Sequence, residues 1–327
     1  MNFGSLGVAN ILQEALVDPA RDFEEIQVIA VASRDNKKAK EFALSNRIKN
    51  YYGNYLSLLK DKDINAIYIP LPNSHHYEWA KKALLQGKHV LCEKPLCSNG
   101  FEAFSLFEIA KEKNLILLEA YHQSFHPMYK RLKEIIEKDV IGDIDELNGK
   151  FLVNIPKPDI RFDYSLSGGA FMDPGCYLIH AMVHFLSGDA EIISTEVKTL
   201  SEDLDIDIES KAKLLLRNNI KINIHSSIVT SEDMEIWIEF IGKKGRVKLN
   251  NFVRSNWCKM ELEIGNQLVE EHFSKKSTFS YQLEAFLEMT KKGANQKLEE
   301  ESKGVMKLLD ELYIHSELPI RGQREGH

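Results

Sequence analysis

Residues 66–97 read AIYIPLPNSHHYEWAKKALLQGKHVLCEKPLC. Residues 66–71 form a short apolar run, residues 76–86 carry apolar side chains at spacings of three and four, and residues 89–92 are apolar again. A short run without alternation suits a strand buried on both faces, and a 3.6-residue period between two such runs suits a crossover helix. Gly87 follows the helical stretch where a C-terminal glycine commonly ends a helix. The stretch therefore predicts a strand–helix–strand unit of a parallel sheet covered on both sides.

The same alternation fills residues 1–120. Further strands are predicted at 2–6, 27–33 and 115–118, and further helices at 10–17, 36–44 and 100–111. This half reads as a doubly wound α/β domain. Beyond residue 120 the pattern changes. Helices are predicted at 127–138 and 171–186, and then period-two runs begin. In KINIHSSIV (221–229) Ile222, Ile224 and Ile228 alternate with polar residues, and MEIWIEFIG (234–242) and WCKMELEIG (257–265) repeat the pattern. Gly245, Gly265 and Asn266 are turn signals. Such strands imply an antiparallel or mixed sheet with one face on a core. Residues 121–322 thus read as an α+β domain closed by helices at 281–292 and 299–313, and residues 323–327 read as a tail or tag remnant.

A length of 327 residues agrees with two domains. Net charge is −7, from 42 basic and 49 acidic residues, which speaks against a dedicated nucleic-acid binder. The four cysteines, at 92, 97, 176 and 258, contain no CxxC pair and are too few for a disulfide framework, so a reducing, cytoplasmic setting is expected. No basic leader opens the chain, and apolar runs such as IYIPLP and LILLEAY are too short to span a bilayer, so no membrane partner is expected.

GSLGVANIL (4–12) follows the first strand. A tight strand-to-helix turn that offers backbone N–H groups to a pyrophosphate needs small residues at fixed places. Gly7, Ala9 and Leu12 occupy the three glycine positions of that fingerprint, and only the first is glycine, so the turn alone also fits a plain strand–helix connection. The second strand ends VIAVASRD (28–35), with Ser33 and Arg34 where an NAD-preferring domain carries an acid for the ribose. A hydroxyl and a guanidinium would bind a 2′-phosphate, so NADP is expected over NAD. The bland alternative is that Ser33 or Asp35 only caps the next helix, and Asp35 could still reach the ribose. Pro95 stops the strand before it and leaves Glu93 and Lys94 at the carboxyl edge, where doubly wound sheets bind ligands.

The segment SGGAFMDPGCYLIHAMVHFLSGD (167–189) is the most informative. With Pro174 at the first helical position and Asp173 as the N-cap, Tyr177, His180 and His184 follow Asp173 at i+4, i+7 and i+11. At about 100° per residue the four project within a sector of roughly 60° on an otherwise apolar helix. Such a stripe lines a cavity or meets polar partners, because bare burial is costly. Taken singly, His184 suits a satisfied core histidine.

These pieces together resemble the glucose–fructose oxidoreductase, inositol dehydrogenase and MocA family over nearly the whole chain. The matching stretches are GSLGVANI, residues 70–96, EAYHQSFHP (119–127), IGDI (141–144) and SGGAFMDPGCY. The tyrosine in the last motif is similar to the branch of dimeric dihydrodiol dehydrogenases and NADP-dependent D-xylose dehydrogenases. The resemblance implies an N-terminal Rossmann domain and a C-terminal α+β domain on an open, mostly antiparallel mixed sheet. It further implies a homodimer or higher homo-oligomer through that sheet.

By position, Tyr177 matches the family's catalytic acid/base, Lys94 its EKP lysine and Asp173 the neighbouring carboxylate. His180, Arg161 and His122 fall where substrate contacts are expected. Gly7, Ala9, Asn10, Ile11, Ser33, Arg34, Leu71, Pro72, Asn73, His76, Glu93 and Lys94 fall on the cofactor side. No metal is implied. The two missing glycines and His75, where the family often has an apolar residue, are departures.

The expected activity is hydride transfer between NADP(H) and a hydroxyl or carbonyl carbon of a small polyhydroxylated substrate, such as a sugar, polyol or cyclic diol. A free tyrosine has a pKa near 10 and is a poor base at neutral pH, but a lysine about 4 Å away would contribute roughly 4 kcal/mol towards its ionised form. Two other readings fit less of the sequence. One is a metal-dependent hydrolase or lyase using Asp173, Cys176, His180 and His184, and the other is a non-catalytic NADP-binding sensor on the same fold.

Overall fold

The computed structural model describes residues 1–186, 189–231 and 233–322, so the expectation for 323–327 lies outside the described residues. The chain divides into two units. Met1–Tyr121 forms the first together with Phe279–Lys303, and His122–Thr278 forms the second with the residues from Gly304 onward.

In the first unit, strands β1 (Asn2–Leu6), β2 (Gln27–Ala32), β3 (Asn50–Tyr52), β4 (Ala66–Ile69), β5 (His89–Cys92) and β6 (Leu117–Glu119) make one sheet in the order 3-2-1-4-5-6. Every pairing is parallel. The crossovers are a wide π turn, Gln13–Val17, running into α1 (Asp18–Ala20), then α2 (Asn36–Asn46), α3 (Tyr55–Leu59), α4 (Asn73–Leu85) and α5 (Gly100–Glu112). The strand order reverses between β1 and β4, so the loops after these strands flank the point where such sheets take ligands. β3 and α3, of three and five residues, are too short for their periodicity to be read in advance.

Residues 279–303 belong with this unit because of three contacts. Phe286 packs on Phe3 with ring centroids 5.5 Å apart, Ser280 donates to Asp22 at 3.1 Å, and Lys291 pairs with Glu25 at 2.7 Å. Assigning 121–322 to one continuous domain by sequence does not capture this return of the chain.

The second unit is built on an eight-stranded sheet in the order β14-β13-β12-β11-β7-β10-β9-β8. The strands are β7 (Ile144–Leu152), β8 (Ala190–Thr199), β9 (Asp207–Leu216), β10 (Lys221–Ser227), β11 (Glu235–Gly242), β12 (Gly245–Asn250), β13 (Lys259–Ile264) and β14 (Gln267–His272). Among the described residues only β7 and β10 pair in parallel, so the sheet is mixed and mostly antiparallel. The alternation read from sequence is the pleat: Ile222, Ile224, Ile236, Ile238, Phe240, Val247 and Leu249 are buried. The alternate residues Lys150, Glu235, Glu239 and Arg246 form ion pairs, Lys150–Glu235 at 3.1 Å and Arg246–Glu239 at 2.6 Å.

On the apolar side lies α7 (Cys176–Phe185), with Phe185 on Phe240 of β11 at 5.5 Å, and α6 (Pro127–Glu137) packs on α7 through Tyr129 and Phe185 at 5.0 Å. Gly149 of β7 lets α7 approach closely, since a Cβ there would stand 2.9 Å from Leu178 Cδ2. The last helices are α8 (Thr278–Lys292) and α9 (Gln296–His315).

The expected start of α7 is corrected. Asp173 is not its N-cap, nor is Pro174 its first residue: both lie inside a π turn, Phe171–Gly175, that precedes α7. Helical bonding has already begun with Asp173 N–H to Gly169 O at 3.1 Å. Pro174 has no N–H to continue it, and the Gly175 N–H reaches back five residues to Ala170 O at 2.8 Å.

Candidate active site

The first unit gathers its candidate residues at the carboxyl ends of β1, β2, β4 and β5. At Gly7 φ is +110°, a backbone that favours glycine, and a Cβ there would crowd Leu71 Cδ2 of the 71–73 loop at 3.0 Å. Ala9, Asn10 and Ile11 follow at the rim, with Asn10 exposed. Leu12 is fully buried with helical backbone (φ −56°), so the third glycine position is filled by a core side chain.

After β2, Ser33 is buried and its hydroxyl accepts from Asp35 N–H at 3.1 Å. Asp35 caps α2, accepting from Lys37 N–H at 2.9 Å and Lys38 N–H at 3.2 Å. Its carboxylate is engaged by the helix, which leaves exposed Arg34 as the charged group of this turn. The Arg34 charge favours the ionised form of the Tyr55 phenol, whose pKa is nevertheless raised because burial outweighs it.

Three buried side chains hold the 93–96 loop around Lys94. Tyr68 donates to Glu93 Oε1 at 2.6 Å, and Glu119 Oε1 accepts from Leu96 N–H at 2.8 Å. His76, fully buried, places Nδ1 2.9 Å from Pro95 O and Nε2 2.7 Å from Leu71 O. Carbonyl oxygens only accept, so this geometry asks both ring nitrogens to donate, while burial opposes the charge and pushes the imidazole down to about 4. Either tautomer leaves at least one N–H···O bond joining the 71–73 and 93–96 loops. His76, expected on the cofactor side, is therefore a strut between two loops. His75 on the same helix contacts Ser74 Oγ at 3.0 Å through Nδ1.

In the second unit, buried Tyr177 lies between two rings. Phe151 of β7 stacks on it at 5.4 Å, and His122 stands edge-on at 6.3 Å. His122 Nδ1 is held by Thr278 Oγ1 at 2.8 Å. One turn on, His180 is buried with Nε2 3.5 Å from Ser124 Oγ, and its ring stacks on His184 at 5.5 Å. His184 packs in turn on Tyr129 at 5.6 Å. The polar stripe of α7 thus meets polar and aromatic partners from the segment 122–129.

Arg161 donates from Nε to Asp173 at 2.6 Å and from Nη1 to Asp159 at 2.9 Å. Asp173, then Asp159, hold its pKa above the ordinary arginine value. Arg161 is thus shared between two carboxylates. Asp159, Ser124, Phe151 and Glu119 were not singled out in advance. Glu119 and Ser124 lie inside EAYHQSFHP, and Asp159 two residues before Arg161, so their neighbours were the available signal. The buried thiols of Cys92 and Cys97 are pushed well up by burial and do not supply thiolates.

Comparison with known proteins agrees with this architecture. Residues 1–121 match the model of an oxidoreductase family with an NAD-binding Rossmann fold, and residues 129–248 match the GFO/IDH/MocA C-terminal domain. The chain is 31% identical to D-xylose 1-dehydrogenase (NADP(+)) 2 of Haloferax volcanii, over 97% of this chain and 98% of that protein. It is 29% identical to a trans-1,2-dihydrobenzene-1,2-diol dehydrogenase of Xenopus tropicalis, over 83% of each chain. Among solved structures, a 3-ketoreductase from Actinomadura kijaniata in complex with NADP and TDP-benzene superposes with a TM-score of 0.89 at 27% identity, covering 96% of this chain and 97% of that one.

Proposed function

Because the chain belongs to the GFO/IDH/MocA oxidoreductase family, we propose that it is an NADP(H)-dependent enzyme acting at a hydroxyl- or carbonyl-bearing carbon of an uncharged sugar, polyol or cyclic diol. The cofactor supplies or accepts the hydride. Gly7, Ala9, Asn10 and Ile11 hold its pyrophosphate, Ser33 and Arg34 its 2′-phosphate, and Leu71, Pro72, Asn73 and Glu93 line its ribose side. The Gly7 backbone, with φ of +110° and no side chain, suits close approach of a phosphate. His76 serves by tying the two loops together.

The observation that carries the reading is Tyr177, a buried phenol on α7 flanked by His122 and Phe151. Tyr177 takes the hydroxyl proton during oxidation and returns it during reduction. Lys94 favours the ionised phenol and stabilises negative charge on the reacting oxygen. Asp173, fixed by Arg161, accepts a substrate hydroxyl, and His122 and His180 supply further polar contacts. Arg161 is already paired with Asp159 and Asp173 and is not held in reserve for a phosphorylated or carboxylated substrate, and for this reason an uncharged one is proposed. A homodimer through the polar face of the second sheet completes the reading.

The test is a panel of aldoses, including D-xylose, with polyols and cyclic diols, monitored by reduced-nicotinamide absorbance. Turnover with an uncharged member and loss of about 10²–10⁴-fold in Tyr177→Phe are expected, the span typical of acid–base groups. Near-normal turnover in Tyr177→Phe would overturn the assignment.

A further inference from the structure

Arg321 and Asp207 are both completely buried, and Arg321 Nη2 meets Asp207 Oδ1 at 2.6 Å. Among the described residues no other arginine is buried. The guanidinium is fully engaged: Nε donates to Gly168 O at 2.8 Å and Nη1 to Pro319 O at 3.2 Å, and its Cζ lies 4.1 Å from the Tyr313 ring centre and 5.0 Å from that of Tyr164. Asp207 is equally committed. Oδ1 accepts from Tyr313 at 3.1 Å, and Oδ2 accepts from Phe171 N–H at 2.7 Å and Ser210 at 2.8 Å. Its backbone carbonyl accepts from Ala170 N–H at 2.8 Å.

These bonds converge on residues 168–171, the entry to the π turn that carries Asp173 and leads without a break into Tyr177. Gly169 sits at φ +128°, and a Cβ there would lie 2.1 Å from Asp207 Oδ1, so the loop is moulded against the carboxylate. A buried ion pair is often no more stabilising than an apolar pair of similar volume, so its value here is geometric specification.

Resting on the reading of Tyr177 as the proton-transfer residue, we propose that Arg321 and Asp207 form a positioning latch that sets the register of the 168–176 segment and, through it, the placement of Asp173 and Tyr177. Arg321 touches no reacting atom in this scheme. It acts across the primary sequence, from beyond α9, on the start of α7.

The decisive variant is Arg321→Lys, which keeps a cation for Asp207 but lacks the planar fork that also holds Gly168 O. Amide hydrogen exchange at 169–177 in the free protein is expected to quicken. On the best substrate of the panel, kcat/KM is expected to fall by about 10²-fold, with most of the loss in kcat and with NADP(H) binding unchanged, as for misplaced catalytic and substrate-contacting groups. If Arg321→Lys does not fold, Tyr313→Phe removes only one hydroxyl from the same carboxylate and is expected to show the same changes in smaller measure. Exchange and kcat like the parent's in a folded variant, with Tyr177→Phe inactive, would overturn the latch alone. An active Tyr177→Phe would overturn the tyrosine reading and with it the latch's catalytic purpose.

Discussion

Arg34 and Asp35 divide the work at the end of β2, and their neighbours decide which does what. Asp35 is spent on Lys37 and Lys38 N–H, while Arg34 stays exposed at the rim. Arg34→Ala is expected to weaken NADP(H) binding by about tenfold or more and NAD(H) binding little, since one charge-assisted contact contributes about 1.5–3 kcal/mol. Isothermal titration with both cofactors checks this, and equal losses would remove the 2′-phosphate assignment. Glu119 poses a different problem. Burial raises its pKa to about 7, against the pull of its Ser302, Leu96 and Tyr121 hydrogen bonds and the Lys94 charge. The folded state therefore holds a proton that the unfolded chain releases near 4.5. Stability should fall as pH rises from about 4.5 to about 7 and then level, by up to about 3 kcal/mol from this residue. Glu119→Gln keeps an oxygen for Leu96 N–H and should flatten that slope in urea unfolding. An unchanged slope would show that Glu119 is ionised throughout.

At the scale of elements, legibility followed length and pattern. The strand–helix–strand stretch at 66–97 was readable because α4 is long enough to show its period, β4 and β5 are unbroken apolar runs, and Gly87 ends the helix with φ +74°. The start of α7 was misread because an Asp-Pro pair looks like a cap and first turn. Only the Ala170–Gly175 bond, made because Pro174 lacks an N–H, reveals the π turn. Within the candidate site, Lys94, Tyr177 and Arg161 were legible as chemistry-bearing types in motifs. Phe151, Asp159 and Asp207 were not, because what matters about them is partners distant in sequence. Gly169 illustrates the same limit: its neighbours Asp207, Tyr313 and Arg321 lie far along the chain. Gly169→Ala is expected to destabilise by about 3 kcal/mol or more, through overpacking and an unsuitable φ. A melting temperature close to the parent's would contradict the packing described for that loop.

For the whole molecule, the proposed self-association rests on a face that is charged rather than greasy, with Lys150–Glu235, Arg246–Glu239 and Arg246–Glu263 pairs across neighbouring strands. Light scattering should find a dimer whose affinity drops as salt is raised, because exposed charge pairs are screened. A monomer at every protein and salt concentration would exclude this assembly. The discontinuity of the first unit has a consequence in time. Its sheet is complete by residue 119, but Phe286, which covers Phe3, is encoded far downstream. At about 5–20 residues per second, a ribosome needs on the order of ten seconds or more to reach it. Through that interval the nascent parallel sheet waits with part of its apolar surface bare, a window in which aggregation competes with completion of the fold.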